Sequence, residues 1–237
     1  IQYQHFAVIL CTGLRFYTYY ASMVRLMDAC AEYNRKMLIL DRPNPNGHYV
    51  DGPILDMKYK SSVGWLPIPI VHGMTLGELA LMVNGERWLP ASRICDITVI
   101  KCKNYTHQTM YELPIPPSPN LPNMKAVYLY PSTCYFEATP VSLGRGTQLP
   151  FQIYGHPNML GYDYTFTPQS IPGAKNPPQL NRICHGVNLS ELSNEEIWKK
   201  GVDLSYLIDA YRNLNMDDYF FRPFFELLTG RDYVRKM

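Results

Sequence analysis

Short apolar runs alternate with amphipathic stretches through the first hundred residues, and their order predicts the architecture. Phe6-Ala7-Val8-Ile9-Leu10 is a continuous apolar run that reads as a buried strand, ended by Cys11-Thr12-Gly13. From about Ser22 to Glu32, Met23, Leu26, Met27 and Cys30 recur at helical spacing, so one face of a helix is apolar. Met37 to Leu40 is the next strand. Strand, helix and strand in this order form a βαβ unit, which implies a parallel sheet with a right-handed crossover. Thr75-x-x-Glu78 has the form of a capping box opening a helix through Val83, with Asn84-Gly85 as its stop, and Ile97 to Lys101 predicts a further strand.

Ala126 to Tyr130 is β-branched and aromatic and is closed by Pro131, so it too reads as a buried strand, with Glu137 a few residues past its end. The character changes after Gly161. A tyrosine-rich segment, a Pro-, Gly- and Asn-rich stretch and a lone strand at 184 to 189 precede helices signalled by Ser193-x-x-Glu196, by Leu204, Leu207, Ile208 and Tyr211, and by the apolar run 220 to 228 before Gly230. We therefore expect a domain of residues 1–160 and a smaller one of residues 161–237.

Polar clusters fall where such a sheet would present them. In open α/β sheets ligands meet the carboxyl ends of strands, where loops hold polar groups without breaking the core. Glu137 is the leading candidate for chemistry, against the alternative of a surface carboxylate. Gly144 and Gly146 free the backbone around Arg145, whose planar guanidinium suits carboxylates or sugar oxygens. Asp41-Arg42-Pro43-Asn44-Pro45-Asn46-Gly47 gathers polar side chains between prolines that fix φ. A turn in which Asp41 and Asn44 bond nearby backbone is the plainer reading of the same residues. Glu78 is assigned to capping. His72 is a binding candidate, or a hydrogen-bonded structural residue. The irregular residues 48 to 70 have the length of a lid or binding loop.

Composition narrows the class of function. The 237 residues carry a formal charge of +2 with no Lys/Arg stripe, which argues against nucleic acid and anionic membranes as partners. Nineteen tyrosines and twenty prolines fit a protein with aromatic surfaces and many ordered loops, as carbohydrate sites often have. The six cysteines show neither a Cys-x-x-Cys pair nor zinc-ligand spacing and read as buried thiols. No apolar stretch is long enough to span a bilayer. A nucleotide site would need a glycine-rich phosphate loop after the first strand, and none is present. Nothing in the sequence fixes an oligomeric state.

Several motifs in fixed order carry a resemblance: Gly13-x-Arg15-Phe16-Tyr17-Thr18-Tyr19, Leu40-Asp41-Arg42-Pro43-Asn44-Pro45, Gly52-Pro53, His72-Gly73-Met74-Thr75-x-Gly77-Glu78-Leu79, Pro116-Pro117-Ser118-Pro119-Asn120, and Phe136-Glu137-x-Thr139-x-x-Ser142-x-Gly144-Arg145-Gly146-Thr147. Together they resemble the exo-β-N-acetylmuramidases of the NamZ type. The resemblance implies an α/β fold, a Rossmann-like parallel sheet flanked by helices with a smaller α/β C-terminal auxiliary domain. It implies a periplasmic or secreted enzyme that removes N-acetylmuramic acid from the non-reducing end of peptidoglycan fragments, with no metal or organic cofactor. A muropeptide-binding protein with the same cleft but no catalysis is the alternative. The family also has an earlier segment with a Glu-His-Gly stretch, expected to lie upstream of Ile1, and an aspartate where this chain has Cys11.

Breaking a glycosidic bond ordinarily takes two carboxylates, because the transition state is cationic at the sugar carbon. Glu137 is the expected acid or base, with Phe136 and Tyr135 to desolvate it. Asp41 or a residue of the upstream segment is the expected second group. One of Arg15, Arg42 or Arg145 is expected to read the lactyl carboxylate of the sugar. Tyr17, Tyr19, Asn44, His72 and Thr147 complete the expected substrate contacts.

Overall fold

The structure is a computed structural model and describes residues 5–7 and 12–233. It divides into two compact units, Ile1–Tyr111 and Glu112–Met237. The composition change near residue 160 falls inside the second unit.

The first unit is built on a parallel sheet of three strands, β1 (His5–Ala7), β2 (Lys36–Leu40) and β3 (Asp96–Ile100), in that spatial order. Met37 stands opposite His5 on one side and opposite Ile97 on the other. The rest of the first apolar run, and Cys11 with it, lies outside the described residues. Helix α1 (Tyr19–Glu32) buries Met23, Met27 and Cys30 of the predicted stripe together with Tyr20 and Val24, while Leu26, also predicted, is half-buried. Helix α2 (Leu76–Gly85) adds Leu79, Ala80 and Val83 to the same core, which β2 meets through Met37 and Ile39. Each such fully buried side chain contributes about 2 kcal/mol relative to exposure. The capping box forms: Thr75 Oγ1 accepts the Glu78 N–H and Glu78 Oε2 accepts the Thr75 N–H.

The irregular residues 48 to 70, read from sequence as a lid or binding loop, are a wall of this core. Leu55, Leu66, Ile68 and Ile70 are all buried, and the Trp65 N–H donates to the Tyr20 hydroxyl at 2.9 Å.

In the second unit the stretch around Tyr128 is a helix, α3 (Met124–Thr133), and the expected strand there is corrected. Asn123 caps it, its Oδ1 accepting the Ala126 N–H at 2.9 Å. Apart from Lys125 every residue of α3 is buried, so the run has no polar face to reveal its period. Pro131 sits in its last turn, and the helix passes directly into a 3-10 turn, Cys134–Ala138. Glu137 therefore follows a helix end and not a strand end.

Strand β4 (Ile153–His156), β5 (Tyr164–Phe166) and β6 (Cys184–Asn188) form an antiparallel sheet in the order β4-β6-β5. The strand at 184 to 188, which looked solitary in sequence, is the centre of this sheet. Gly186 stands opposite Gly155, and a β-carbon on it would overlap the Tyr154 carbonyl. Helices α4 (Asn194–Lys200) and α5 (Ser205–Leu214) pack on α3, and α6 (Phe224–Thr229) packs on the 3-10 turn. The capping box predicted from Ser193 and Glu196 is present at the start of α4. Gly230 closes α6 with φ of 72°, the left-handed conformation that glycine adopts without strain.

Candidate active site

Each unit gathers part of the expected polar set. In the second unit the 3-10 turn presents Glu137 between buried aromatics. Phe136 stacks on Tyr154 of β4 with centroids 4.9 Å apart, and Tyr135 leans on Phe225 of α6. Thr139 ends the turn by donating its backbone N–H and its hydroxyl to the Phe136 carbonyl, at 3.0 and 2.9 Å. From there the chain crosses to β4, where Ser142 and Gly155 exchange backbone hydrogen bonds of 2.8 and 2.9 Å.

This anchored loop carries Gly144-Arg145-Gly146. Both glycines have left-handed φ, 81° and 82°. A β-carbon on Gly144 would stand 2.5 Å from the Leu149 carbonyl oxygen, and one on Gly146 would overlap the Gln169 carbonyl. Only glycine fits at either place. Arg145 between them reaches back to Glu137, with Nη1 3.2 Å from Oε1, and its guanidinium lies 5.9 Å from the Phe151 ring centre. Burial pushes the Glu137 carboxyl above its ordinary range, and the Arg145 charge opposes that rise. A carboxyl placed this way keeps its proton to a higher pH than an exposed glutamate and can give it up in a transition state. Thr147 takes a different part from the one expected. Its hydroxyl donates to the Gly144 carbonyl at 2.7 Å and accepts from the Leu149 N–H at 3.0 Å, so it closes the glycine turn.

In the first unit the carboxyl ends of β2 and β3 and the start of α2 enclose a cavity of about 210 Å³, lined by Asp41, Thr75, Glu78, Lys101, Tyr105 and His107 among others. Asp41 was expected as a second catalytic carboxylate, and its surroundings argue otherwise. Its Oδ2 accepts from the Thr75 hydroxyl at 2.6 Å, and its Oδ1 accepts from the Gly77 and Arg42 N–H groups, both at 2.9 Å. The side chain satisfies an orphan N–H of α2 and ties that helix to the end of β2. Asn44 is wholly buried and joins the Met74 carbonyl and the Asn46 N–H. Arg15 is buried as well, its Nη1 donating to the carbonyls of Pro53 and Ile68 at 2.8 and 2.9 Å. Both were expected to meet substrate, and both are braces between loops. Arg42 is exposed. Tyr19 is about half exposed and meets Tyr17 edge-on at 5.1 Å.

The first unit also holds a pair that sequence reasoning missed. His107 Nε2 lies 3.0 Å from Glu78 Oε1 and its Nδ1 lies 3.0 Å from the Gly47 carbonyl oxygen. With an acceptor at each nitrogen the ring favours the imidazolium form, and the Glu78 hydrogen bond holds its pKa above the ordinary value. Burial pushes Glu78 up, but the Thr75 N–H and His107 outweigh it and leave the carboxylate below its usual range. His72 behaves oppositely. It is buried, its Nδ1 accepts the Met74 N–H at 3.2 Å, and desolvation lowers it to about 4.

These shifts predict how pH acts on stability. As pH falls from the ordinary imidazole value toward about 4, the unfolded chain takes up a proton that folded His72 refuses. That costs about 3 kcal/mol over the interval. The Glu78–His107 pair works the other way. Its His107 share is full below the ordinary imidazole value and is lost as pH rises through the raised one. Its Glu78 share is present above the ordinary carboxylate value and is lost as pH falls through the lowered one. Both side chains are 43% exposed, so screening keeps this share under about 1 kcal/mol. His72→Asn, which keeps an acceptor near Nδ1, is expected to flatten the loss of stability between pH 6.5 and about 4, read from denaturant unfolding across that range. An unchanged slope refutes the assignment.

A second cluster unseen in the sequence lies on α5, where the Asp209 carboxylate accepts from the hydroxyls of Tyr154 and Tyr162, each at 2.8 Å. Burial comes first in raising Tyr162 to about 12, so that phenol stays protonated. Among the described residues no group of three or more His, Cys, Asp or Glu side chains comes together to hold a metal ion.

With this geometry in view, comparison with known proteins is informative. The family description "Exo-beta-N-acetylmuramidase NamZ, N-terminal" matches residues 8–125, and its C-terminal counterpart matches residues 128–237. The chain belongs to the NamZ family. The junction between the two NamZ matches lies at the start of α3 and within the second compact unit. A curated relative, the peptidoglycan beta-N-acetylmuramidase NamZ of Bacillus subtilis (strain 168), is 36% identical over 241 aligned residues, which take in 94% of this chain and 57% of the relative. The chain thus spans little more than half the length of that protein. Two crystal structures of DUF1343 family proteins from Bacteroides fragilis NCTC 9343 are similar across 98% of this chain and 66% of their own. One is 84% identical with a TM-score of 0.96, and the other is 25% identical with a TM-score of 0.77. The likeness agrees with the mixed α/β fold that the NamZ resemblance implied. No helix among the described residues is long and apolar enough to cross a membrane.

Proposed function

We propose that the protein carrying this chain is a glycoside hydrolase that releases N-acetylmuramic acid from the non-reducing end of peptidoglycan fragments, acting in the periplasm or after secretion. Membership in the NamZ family and the name of the Bacillus subtilis relative support the substrate class. The observation that carries the chemistry is Glu137. Its side chain is 24% exposed, it faces Arg145, and burial inclines it to keep a proton. In this reading Glu137 serves as general acid, protonating the leaving oxygen as the sugar carbon gains positive charge.

Asp41 is given no part in the reaction, because Thr75, Gly77 and Arg42 engage its carboxylate. This sequence contains no Glu-His-Gly, and the second carboxylate is assigned to that stretch of the family. Arg145 is assigned to the lactyl carboxylate.

Full-length protein incubated with a muropeptide whose non-reducing end is N-acetylmuramic acid is expected to liberate the free sugar, identified by mass spectrometry, and to leave chains capped by N-acetylglucosamine intact. Binding of the muropeptide without release of sugar would mark a receptor and sink the hydrolase reading.

A further inference from the structure

Glu137 and Arg145 meet through a single ion pair of 3.2 Å, and no other partner of the Glu137 carboxylate occurs among the described residues. Arg145 Nε is buried and has no hydrogen-bond partner, which leaves the guanidinium with a donor in need of an acceptor. Neither side chain is sealed, at 24% and 38% exposure, so an anion can approach both. The loop beneath Arg145 is fixed by two positions that accept only glycine, so an incoming carboxylate must come to the guanidinium. Planar carboxylates and guanidinium groups match in geometry and bond strongly when partly desolvated.

We propose that Arg145 is shared between Glu137 and the carboxylate of the substrate: an acidic amino sugar that engages the guanidinium removes the counter-charge of Glu137, which then takes one proton from solvent. The proposal rests on the reading of Glu137 as the acid of a muramidase and adds the device that arms it. The balance is simple: one O–H bond forms on Glu137, its proton comes from water or buffer, and no other bond changes.

Two opposed influences on Glu137 make the device work. Burial favours the neutral carboxyl, and the Arg145 charge favours the carboxylate. Burial already outweighs the Arg145 charge, and once a second anion shares the guanidinium that opposing influence weakens and the carboxyl's affinity for a proton rises further. The Cys134 thiol one turn back also senses Glu137, and burial pushes it well above its usual value and keeps it neutral. A neutral sugar without the lactyl group leaves the ion pair intact and brings no proton uptake. Selection for the acidic sugar thus enters through proton affinity as well as through contact.

Calorimetric titration of full-length protein with N-acetylmuramic acid, in two buffers of different ionisation enthalpy at a pH where the sugar is ionised, reads proton uptake directly. Uptake of up to one proton per site is expected with N-acetylmuramic acid and none with N-acetylglucosamine. Glu137→Gln is expected to bind the acidic sugar without uptake, and Arg145→Gln to bind it about ten- to a hundredfold more weakly. Undiminished uptake in Glu137→Gln, binding without uptake throughout the range of about pH 5 to 8, or no binding of the acidic sugar overturns the proposal. The turnover of Glu137→Gln separates this from the reading beneath it. Retained turnover of the variant with uptake that depends on Glu137 removes the catalytic role and leaves the proton linkage, whereas lost turnover of the variant with no uptake by the parent protein does the reverse.

Discussion

Glu137→Gln is expected to lower the turnover of a disaccharide ending in N-acetylmuramic acid by full-length protein between about a hundredfold and ten-thousandfold. The amide has nearly the shape of the acid, and the aromatics around the turn keep their packing, Phe136 on Tyr154 and Tyr135 on Phe225. What is lost is a transferable proton. The deficit should depend on the leaving group, because a nitrophenolate departs without help and a sugar alkoxide does not. A loss that is large for the natural disaccharide and small for the activated aryl glycoside identifies an acid. An equal loss for both points to a base or nucleophile. Wild-type turnover on both substrates removes Glu137 from the mechanism. The thermal midpoint should stay near that of the parent, since both partners of the ion pair are partly exposed and such a pair contributes about 1 kcal/mol or less.

Arg15→Met is expected to destabilise the first unit by about 3 kcal/mol without any direct effect on the chemistry. Methionine preserves much of the aliphatic volume but leaves the carbonyls of Pro53 and Ile68 without the guanidinium that now joins them. A buried acceptor stripped of its partner costs about 1 to 3 kcal/mol, and here there are two. The loops at 53 and 68 would lose a brace on the wall that supplies Leu55, Leu66 and Ile68 to the core. Denaturant unfolding should show a lower midpoint with little change in slope, while the exposed Arg42→Met stays within about 0.5 kcal/mol of the parent. If both variants unfold alike, Arg15 is not the brace that its hydrogen bonds describe.

These two residues mark what could be read before the structure and what could not. Local signals were faithful: of the predicted stripe Met23, Leu26, Met27 and Cys30 all but the half-buried Leu26 lie on the buried face of α1, and Thr75 with Glu78 forms a capping box. Such signals depend on residues three or four apart, which a helix brings together whatever surrounds it. Around Tyr128 the local signal vanished, because a helix buried on nearly every side shows the same unbroken apolar run as a strand. Asn123, a good N-cap residue directly ahead of the run, was the clue that was passed over.

Polar residues were harder. Asp41, Asn44 and Arg15 are what a ligand site would use and also what buried loops use, since backbone N–H and C=O groups present the same donors and acceptors as a sugar. Their partners lie tens of residues away, as Ile68 does from Arg15 and Thr75 from Asp41, and no spacing rule reaches that far. His107 escaped notice for the same reason, being separated by 29 residues from Glu78. Glu137 and Arg145 were each singled out by sequence, the arginine by the two glycines that bracket it, but their ion pair was not, and the strand expected before them is a helix.

The bracketing of Arg145 by two positions that reject any side chain separates two kinds of evolutionary change. Exchanging the residue at 145 changes the group that meets Glu137 and leaves the path of the main chain alone, whereas exchange at 144 or 146 must reroute the chain itself. Relatives that trim other acidic or neutral sugars are therefore expected to differ at the middle of the triplet and to keep its flanks.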